Sequence, residues 1–347
     1  MSGVPATRGS ATRSVPAALI RTRPMVLAGL TGAVNRLAPS LRRIAAYHLG
    51  WRDAEGRAVE GDGGKAVRPA ITLVAAEAVG GAASSALRGA VALELVHNFS
   101  LIHDDVMDGD VERRHRPTVW ARFGVGEAIV AGDALHSLAQ ELLLEDPGPQ
   151  ARRAALELNR ATAEMILGQS EDLAYESRLD VTEDEALGMS AHKTGALLAC
   201  AGTLGALLGG GEDRQVAALQ TFGLNVGLAF QAVDDVLGIW GDPAVTGKPA
   251  ASDLRQRKKT IPVVHGLRTA SQESRRIEAI MGNGELEGEG LAKIVALLDE
   301  LGCRRWTIEL ADRHLGMALE ALEAADLVPG PVEELREIAL FVTRRDF

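Results

Sequence analysis

From Ala66 almost to the C-terminus, apolar residues return every three or four positions, and short clusters of Gly, Pro or charged residues interrupt the rhythm. That spacing is the period of an amphipathic helix, whereas the strict alternation of half-buried strands is hard to find. A succession of helices joined by short turns is therefore predicted. Ala196 to Leu208 is the most apolar stretch. It is too short and too rich in Gly to cross a membrane, which takes about 20 apolar residues, and it predicts a buried central helix. Two stretches stand apart. Residues 1–24 are rich in Ser, Thr, Pro, Ala and Arg and have no apolar period, which predicts a flexible N-terminal tail without the apolar core of a signal peptide. Asp53 to Gly64 is polar and glycine-rich and predicts a loop. No break in composition divides residues 25–347, which read as one all-α domain, a helical bundle.

Composition sharpens this picture. The strong helix formers Ala and Leu abound, and only 3% of residues are aromatic. A net charge of −10 argues against a general nucleic-acid binder, which needs a basic face. No stretch suits a membrane span. Two cysteines, Cys200 and Cys303, cannot build a disulfide framework and lack metal-ligand spacing; they fit a cytoplasmic protein. Of 37 basic residues only six are Lys. Five of those, Lys65, Lys193, Lys248, Lys258 and Lys259, fall in segments that look functional on other grounds. An ammonium group binds phosphate oxygens as a compact point charge.

The candidate chemistry concentrates in two acidic clusters, Asp104-Asp105-Val106-Met107-Asp108 and Asp234-Asp235-Val236-Leu237-Gly238. Both lie in apolar, helix-like surroundings, where carboxylates need a compensating cation. Asp104 and Asp108, at i and i+4, share a helix face. Hard oxygen ligands so placed suit magnesium, which fills its other positions with water and substrate phosphate. Arg113-Arg114 follows the first cluster, and Lys248 and Lys258 follow the second. Guanidinium forks beside metal-binding carboxylates make a site that grips a diphosphate from both sides. Two further basic pieces are Gly63-Gly64-Lys65-Ala66-Val67-Arg68-Pro69 and His192-Lys193-Thr194-Gly195. The first lacks the spacing and the preceding strand of a P-loop.

In chain order, the set comprises GGKxxRP, the histidine of Glu94-Leu95-Val96-His97, DDxxD followed by Arg-Arg, Gly168-Gln169 with Asp172, KTG, and FQxxDD with GDPxxxGK. Over roughly Gly63 to Val264 it resembles the trans-isoprenyl diphosphate synthase, or polyprenyl synthetase, family. The resemblance implies the isoprenoid synthase fold, an all-α bundle around a deep central apolar cavity, usually as a homodimer. It also implies a prenyltransferase that joins isopentenyl diphosphate to an allylic diphosphate with three magnesium ions per site. Asp104, Asp108 and Asp234 match the metal ligands, with Asp105 completing the first acidic triplet and Asp235 supporting the second. Arg113, Lys193, Thr194, Gln231 and Lys248 match positions that hold the allylic diphosphate, with Lys258 nearby in the same basic wall. Lys65, Arg68, His97 and Arg114 match the isopentenyl diphosphate pocket.

One position departs from the family pattern. The second motif reads DDxxG, so Gly238 cannot supply a carboxylate, and Asp234 is expected to act with less help. Phe99, five residues before Asp104, and the small Ser100 are the expected chain-length residues. An aromatic there without a two-residue insertion in the first motif resembles members that make geranylgeranyl diphosphate; farnesyl diphosphate is the alternative product. A class I terpene cyclase of the same fold would not need the isopentenyl diphosphate pocket. A non-catalytic subunit of a heteromeric synthase would be expected to have lost the aspartates.

Overall fold

A computed structural model describes residues 14–59, 64–242, 251–282 and 286–343. Its helices run, in order, α1 (Ala17–Val34), α2 (Pro39–His48), α3 (Val67–Ala78), α4 (Leu87–Met107), α5 (Val119–Phe123), α6 (Val125–Leu144), α7 (Pro149–Tyr175) and α8 (Glu183–Ser190). They continue with α9 (Ala196–Leu208), α10 (Asp213–Trp240), α11 (Ser252–Arg255), α12 (Ile261–Arg268), α13 (Gln272–Gly282), α14 (Gly288–Glu300), α15 (Cys303–Glu323) and α16 (Pro329–Thr343). A π-helical turn, Ala191–Gly195, joins α8 to α9. The strands β1 (Glu112–Arg113) and β2 (Arg116–Pro117) form a small antiparallel hairpin with Arg113 opposite Arg116.

The most apolar stretch of the sequence is α9 itself. It lies inside the bundle against α3, α7 and α10, and Leu197 and Leu204 are fully enclosed. Around it α4 packs along α6, while α10 is held between α9 and α15. Each large side chain fully enclosed here, such as Phe222, Ile71 or Leu204, contributes about 1.5–3 kcal/mol of transfer free energy. α10 is long and apolar enough to cross a membrane by length and composition alone, but it is a bundle helix that carries Asp234 and Asp235. A second, smaller core gathers Leu254, Val263, Ile277 and Leu298 from α11 to α14. That core anchors residues 251–260 against the end of α10.

The expected N-terminal tail is too long. Helix α1 starts at Ala17, inside the stretch read as flexible, and Ala18, Leu19, Thr22, Val26 and Leu30 are buried along its inner face. The small residues and Pro24, which sits inside the helix, masked this i, i+4 stripe in the sequence. Thr22 donates its hydroxyl to the carbonyl of Ala18, 2.7 Å away, so even its polar atom is satisfied within the helix.

Candidate active site

Elements distant in sequence meet around a polar cavity of about 190 Å³. The end of α4 brings Asp104 and Asp108, α10 brings Gln231 and Asp234, and α7 brings Asp172. The π-helical turn brings Lys193, the hairpin Arg113, and the segment after α11 Lys258. Asp108 caps α4, its N–H donating to the Asp104 carbonyl at 2.8 Å, so the two carboxylates share one face as the i, i+4 spacing predicts. Burial pushes Asp104 up to about 6, with Lys193 pulling the other way and Asp108 adding to the rise. Asp108 Oδ1 is buried without a hydrogen-bond partner. Seven aspartates against three basic side chains line this space, an excess of negative charge that calls for a cation. Among the described residues no three acidic, His or Cys side chains cage an ion unaided. An ion completed by water and phosphate oxygens fits that arrangement.

Asp172 is the hub of the basic wall. Lys193 Nζ lies 2.5 Å and Lys258 Nζ 2.9 Å from the same oxygen, Oδ2, and Lys258 also reaches Asp108 Oδ2 at 3.3 Å. Burial would raise the Asp172 pKa, but the two ammonium groups outweigh it and hold the carboxyl below its ordinary value. Lys258 is likewise opposed by burial and raised by Asp172 and Asp108, so it stays charged. The geometry depends on Gly168 of α7. A Cβ there would lie 2.7 Å from the Lys193 Cα, so only a glycine lets the π-helical turn rest on α7.

Beyond Lys193 the contacts form a chain. Thr194 Oγ1 donates to Gln231 Oε1 at 2.6 Å, and Gln231 Nε2 donates to Asp235 Oδ1 at 2.7 Å. The N–H of Ile261 donates to Asp235 Oδ2 at 2.9 Å. Asp235 is 4% exposed, and burial pushes its pKa up to about 8 despite these bonds. It fastens α10 to the start of α12. Asp234, one residue earlier, faces the cavity with the other acids.

Gly238 is not a vacancy. A Cβ built on it would lie 2.5 Å from Cγ and 3.0 Å from Oδ1 of Asp253, the second residue of α11. A carboxylate therefore stands where the DDxxD pattern would put one, delivered from another helix. Asp253 lines the cavity with Asp234, which corrects the expectation that Asp234 acts with little support.

Asp105 also departs from expectation. One residue round the helix from Asp104, it turns away from the triplet it was expected to complete. It is 1% exposed and accepts a hydrogen bond from Arg113 Nε at 2.7 Å. Asp105 lines a second cleft, of about 420 Å³, together with His48, Lys65, Arg113 and Arg114. Arg113 borders both spaces. Behind the second cleft Arg68 Nη1 lies 3.2 Å from His97 Nε2. Burial and the guanidinium groups of Arg68 and Arg114 keep His97 well below its ordinary pKa, so its neutral Nε2 accepts from Arg68. His48 is pushed down to about 3 by burial and by Arg113 and Arg114. Lys65 Nζ sits 4.9 Å over the ring of Phe341 on α16. Phe99 packs between His103 and His136, with ring centroids 4.8 and 5.2 Å away, and Ser100 donates to the His97 carbonyl at 2.8 Å. Lys248 lies outside the described residues.

Five non-glycine residues among those described have a left-handed backbone: Ala66, Arg114, His115, Ala251 and Arg257. Such backbone costs about 1–3 kcal/mol per residue and gathers at functional sites. Here Ala66 follows Lys65, Ala251 opens α11 just before Asp253, and Arg257 precedes Lys258. Arg114 and His115 are the central residues of the hairpin turn, whose tight geometry demands positive φ at both. In the sequence Asp172 stands in the motif set without a role of its own, and nothing there marks Asp253 or His48. Only Asp172, in its GQxxD setting, carried a signal that could have marked it.

The polyprenyl synthetase family profile matches residues 56–298. The chain is 46% identical over 315 residues to the (2E,6E)-farnesyl diphosphate synthase of Mycobacterium tuberculosis, covering 90% of this chain and 88% of that one. It is 41% identical over 317 residues to a geranylgeranyl diphosphate synthase of the same organism, covering 90% and 89%. The crystal structure of a polyprenyl synthetase from Streptomyces coelicolor superposes with a TM-score of 0.90 at 48% identity, covering 94% of this chain and 99% of that one. A geranylgeranyl pyrophosphate synthase from Corynebacterium glutamicum, solved with isoprenyl diphosphate and magnesium, superposes with a TM-score of 0.79 at 26% identity, covering 96% and 100%. With this fold and these relatives, the chain belongs to the polyprenyl synthetase family and is a trans-prenyltransferase.

Proposed function

We propose that this enzyme condenses isopentenyl diphosphate head to tail with an allylic diphosphate and releases geranylgeranyl diphosphate. The observation that carries the reading is the pair of adjoining spaces with Arg113 on their common border, one rich in carboxylates and the other in basic groups. Arg113, Lys193, Gln231 and Lys258 of the first space, with Thr194 bonded to Gln231, hold the allylic diphosphate, and the family resemblance adds Lys248 to them. Lys65 and Arg114 of the second, with Arg68 and His97 behind it, hold isopentenyl diphosphate. Asp104, Asp108 and Asp234 would hold magnesium, three ions per site, with Asp253 beside Asp234. Magnesium held there would supply positive charge to offset the negative charge of the diphosphate.

The protein's own part in the reaction is electrostatic and geometric. Lys193 and Lys258, held in place by Asp172, face the oxygens on which charge grows as the allylic C–O bond breaks, and they cost no reorganisation at that moment. The electron pair departs with the diphosphate. The double bond of isopentenyl diphosphate then forms the new C–C bond, and the proton it loses passes to the departed diphosphate. Apolar helices exclude the water that would quench the cation. Phe99 and Ser100 set the product length: Phe99 lies about 7.5 Å along the axis before Asp104, and its ring is wedged against His136 on α6. Farnesyl diphosphate is the second reading, favoured by the name of the 46% identical relative.

We assign the enzyme to the cytoplasm, which suits its two buried free thiols, Cys200 and Cys303. We also propose a homodimer. Ile129 and Val130 on α6 and Ile166 and Leu167 on α7 are exposed apolar residues, a pattern that suits subunit contact. The test incubates the purified protein with magnesium, isopentenyl diphosphate and each allylic starter in turn, and measures the chain length of the product. Twenty-carbon product from every starter supports the proposal. Termination at fifteen carbons overturns the length assignment, and no elongation overturns the assigned reaction.

A further inference from the structure

A cavity of about 960 Å³ lies between α1, α2 and the flanking segments 51–59 and 64–66. It shares no lining residue with the carboxylate cavity of Asp104, Lys193 and Asp234, and it meets the second cleft along Leu49, Gly50 and Gly64. Its size is at the upper end for small-molecule pockets, about 300–1,000 Å³. The wall is apolar: Val26 and Leu30 are buried in it, and Leu27 is 46% exposed there, an unusual state for a large apolar side chain inside a concavity. The rim is cationic, with Arg42, Arg43 and Arg52. Their side-chain hydrogen bonds among the described residues go to carbonyl oxygens, those of Asn35 (3.5 Å), Ala54 (3.1 Å) and Gly56 (2.7 Å). No carboxylate neutralises them there. The acid among the lining residues, Glu94, is 7% exposed and accepts from Asn98 Nδ2 at 3.3 Å.

Guanidinium groups above an apolar wall complement an amphipathic anion, one with a polyphosphate head and a long hydrocarbon tail. We infer that this cavity is a second, non-catalytic binding site for a long-chain prenyl diphosphate, the chemical class that the enzyme itself makes. The inference rests on prenyltransferase activity and is independent of the chain length assigned above. Gly64 and Ala66 line the cavity, and Lys65 between them belongs to the isopentenyl diphosphate cleft. A ligand in the cavity therefore bears on the residue that grips isopentenyl diphosphate, and occupancy weakens binding of that substrate.

The test titrates the full chain with geranylgeranyl diphosphate in magnesium, without isopentenyl diphosphate, by calorimetry and by tryptophan emission. Trp51 lines the cavity, so its emission reports filling directly, and Trp51→Phe should remove that signal. Two equivalents per chain are expected. Leu27→Glu and Arg42→Ala should each weaken one of the two at least tenfold, with the other equivalent and the initial condensation rate unchanged. Inorganic diphosphate should fail to compete for the sensitive equivalent, because it has no tail for the apolar wall. A single equivalent, or two that both substitutions leave untouched, would overturn the inference. So would loss of binding to phosphatidylglycerol vesicles in these variants with no second prenyl diphosphate equivalent, which would make the surface a membrane contact.

Discussion

Restoring the aspartate that DDxxD would place at position 238 should damage this enzyme. The Asp253 carboxylate occupies the volume in question, with Cγ 2.5 Å and Oδ1 3.0 Å from a Cβ at Gly238. Carbon atoms in contact settle about 3.5–4.0 Å apart, so Asp253 must retreat by about 1 Å or swing away, giving up its bond from Ser252 Oγ, 3.1 Å long. Overpacking of this kind costs about 1–3 kcal/mol. Two carboxylates held about 4 Å apart repel by a further ~4 kcal/mol at an effective dielectric near 20. Displacing an oriented carboxylate beside a metal site lowers metal affinity by about 10–100-fold. Gly238→Asp should therefore raise the magnesium concentration for half-maximal rate by about 10–100-fold and lower Tm. Asp253→Ser should reproduce the magnesium defect and leave Tm nearly unchanged. The double variant Gly238→Asp/Asp253→Ser, which only moves the carboxylate from α11 to α10, should recover most of the loss. Diphosphate release at saturating substrates across a magnesium series, with thermal unfolding in parallel, measures all three. A Gly238→Asp enzyme with wild-type magnesium dependence would refute the claim that Asp253 holds that space. A double variant no better than the worse single one would refute the equivalence of the two positions.

Asp105→Asn removes the charge that orients Arg113, which borders both substrate spaces. KM should rise for both substrates together, by about 10-fold if roughly 1.4 kcal/mol of charge-assisted bonding is lost; an increase for one alone would dissociate Arg113 from the shared border. Phe99→Ala should lengthen the product, as read by chromatography of the dephosphorylated alcohols, and an unchanged product would refute a chain-length role for Phe99. Lys259 is 1% exposed and donates to the carbonyls of Glu176 (2.9 Å) and Arg257 (2.8 Å). Burial, and then Arg257, lowers its pKa from 10.5 to about 8. Between those values the unfolded chain binds a proton that the native chain lacks, so stability should rise with pH across that window and level off above it. Denaturant unfolding of Lys259→Met should show a flatter slope there, and an identical slope would mean that Lys259 does not titrate in that range.

Much of this molecule was legible in the sequence because its information is local. The apolar run Ala196–Leu208 became α9, and the i, i+4 spacing of Asp104 and Asp108 put both on one face at the end of α4. What the sequence withheld depends on the approach of separate segments. Asp253 stands in for a side chain at Gly238, and no spacing rule links residues on different helices. Asp105 and Asp104 look interchangeable in a string of letters, yet one step round a helix sends them to different clefts. Lys258 looked like another phosphate ligand, but it is bound to Asp172 and Asp108, so its charge also holds two helices together. The start of α1 was lost because Ala and Thr on its inner face lower the contrast that periodicity relies on.

The left-handed residues have a consequence for anyone who redesigns this enzyme. Ala66, Arg114, His115, Ala251 and Arg257 are positions where a change to Gly or Asn relieves local backbone cost. A search that rewards thermal tolerance alone will be drawn to them, because each offers a gain in backbone energy. Three of them, Ala66, Ala251 and Arg257, fix the backbone beside Lys65, Asp253 and Lys258. Heat resistance obtained there would come at the expense of turnover, so a stabilised catalyst is better sought on the outer faces of α13 and α14.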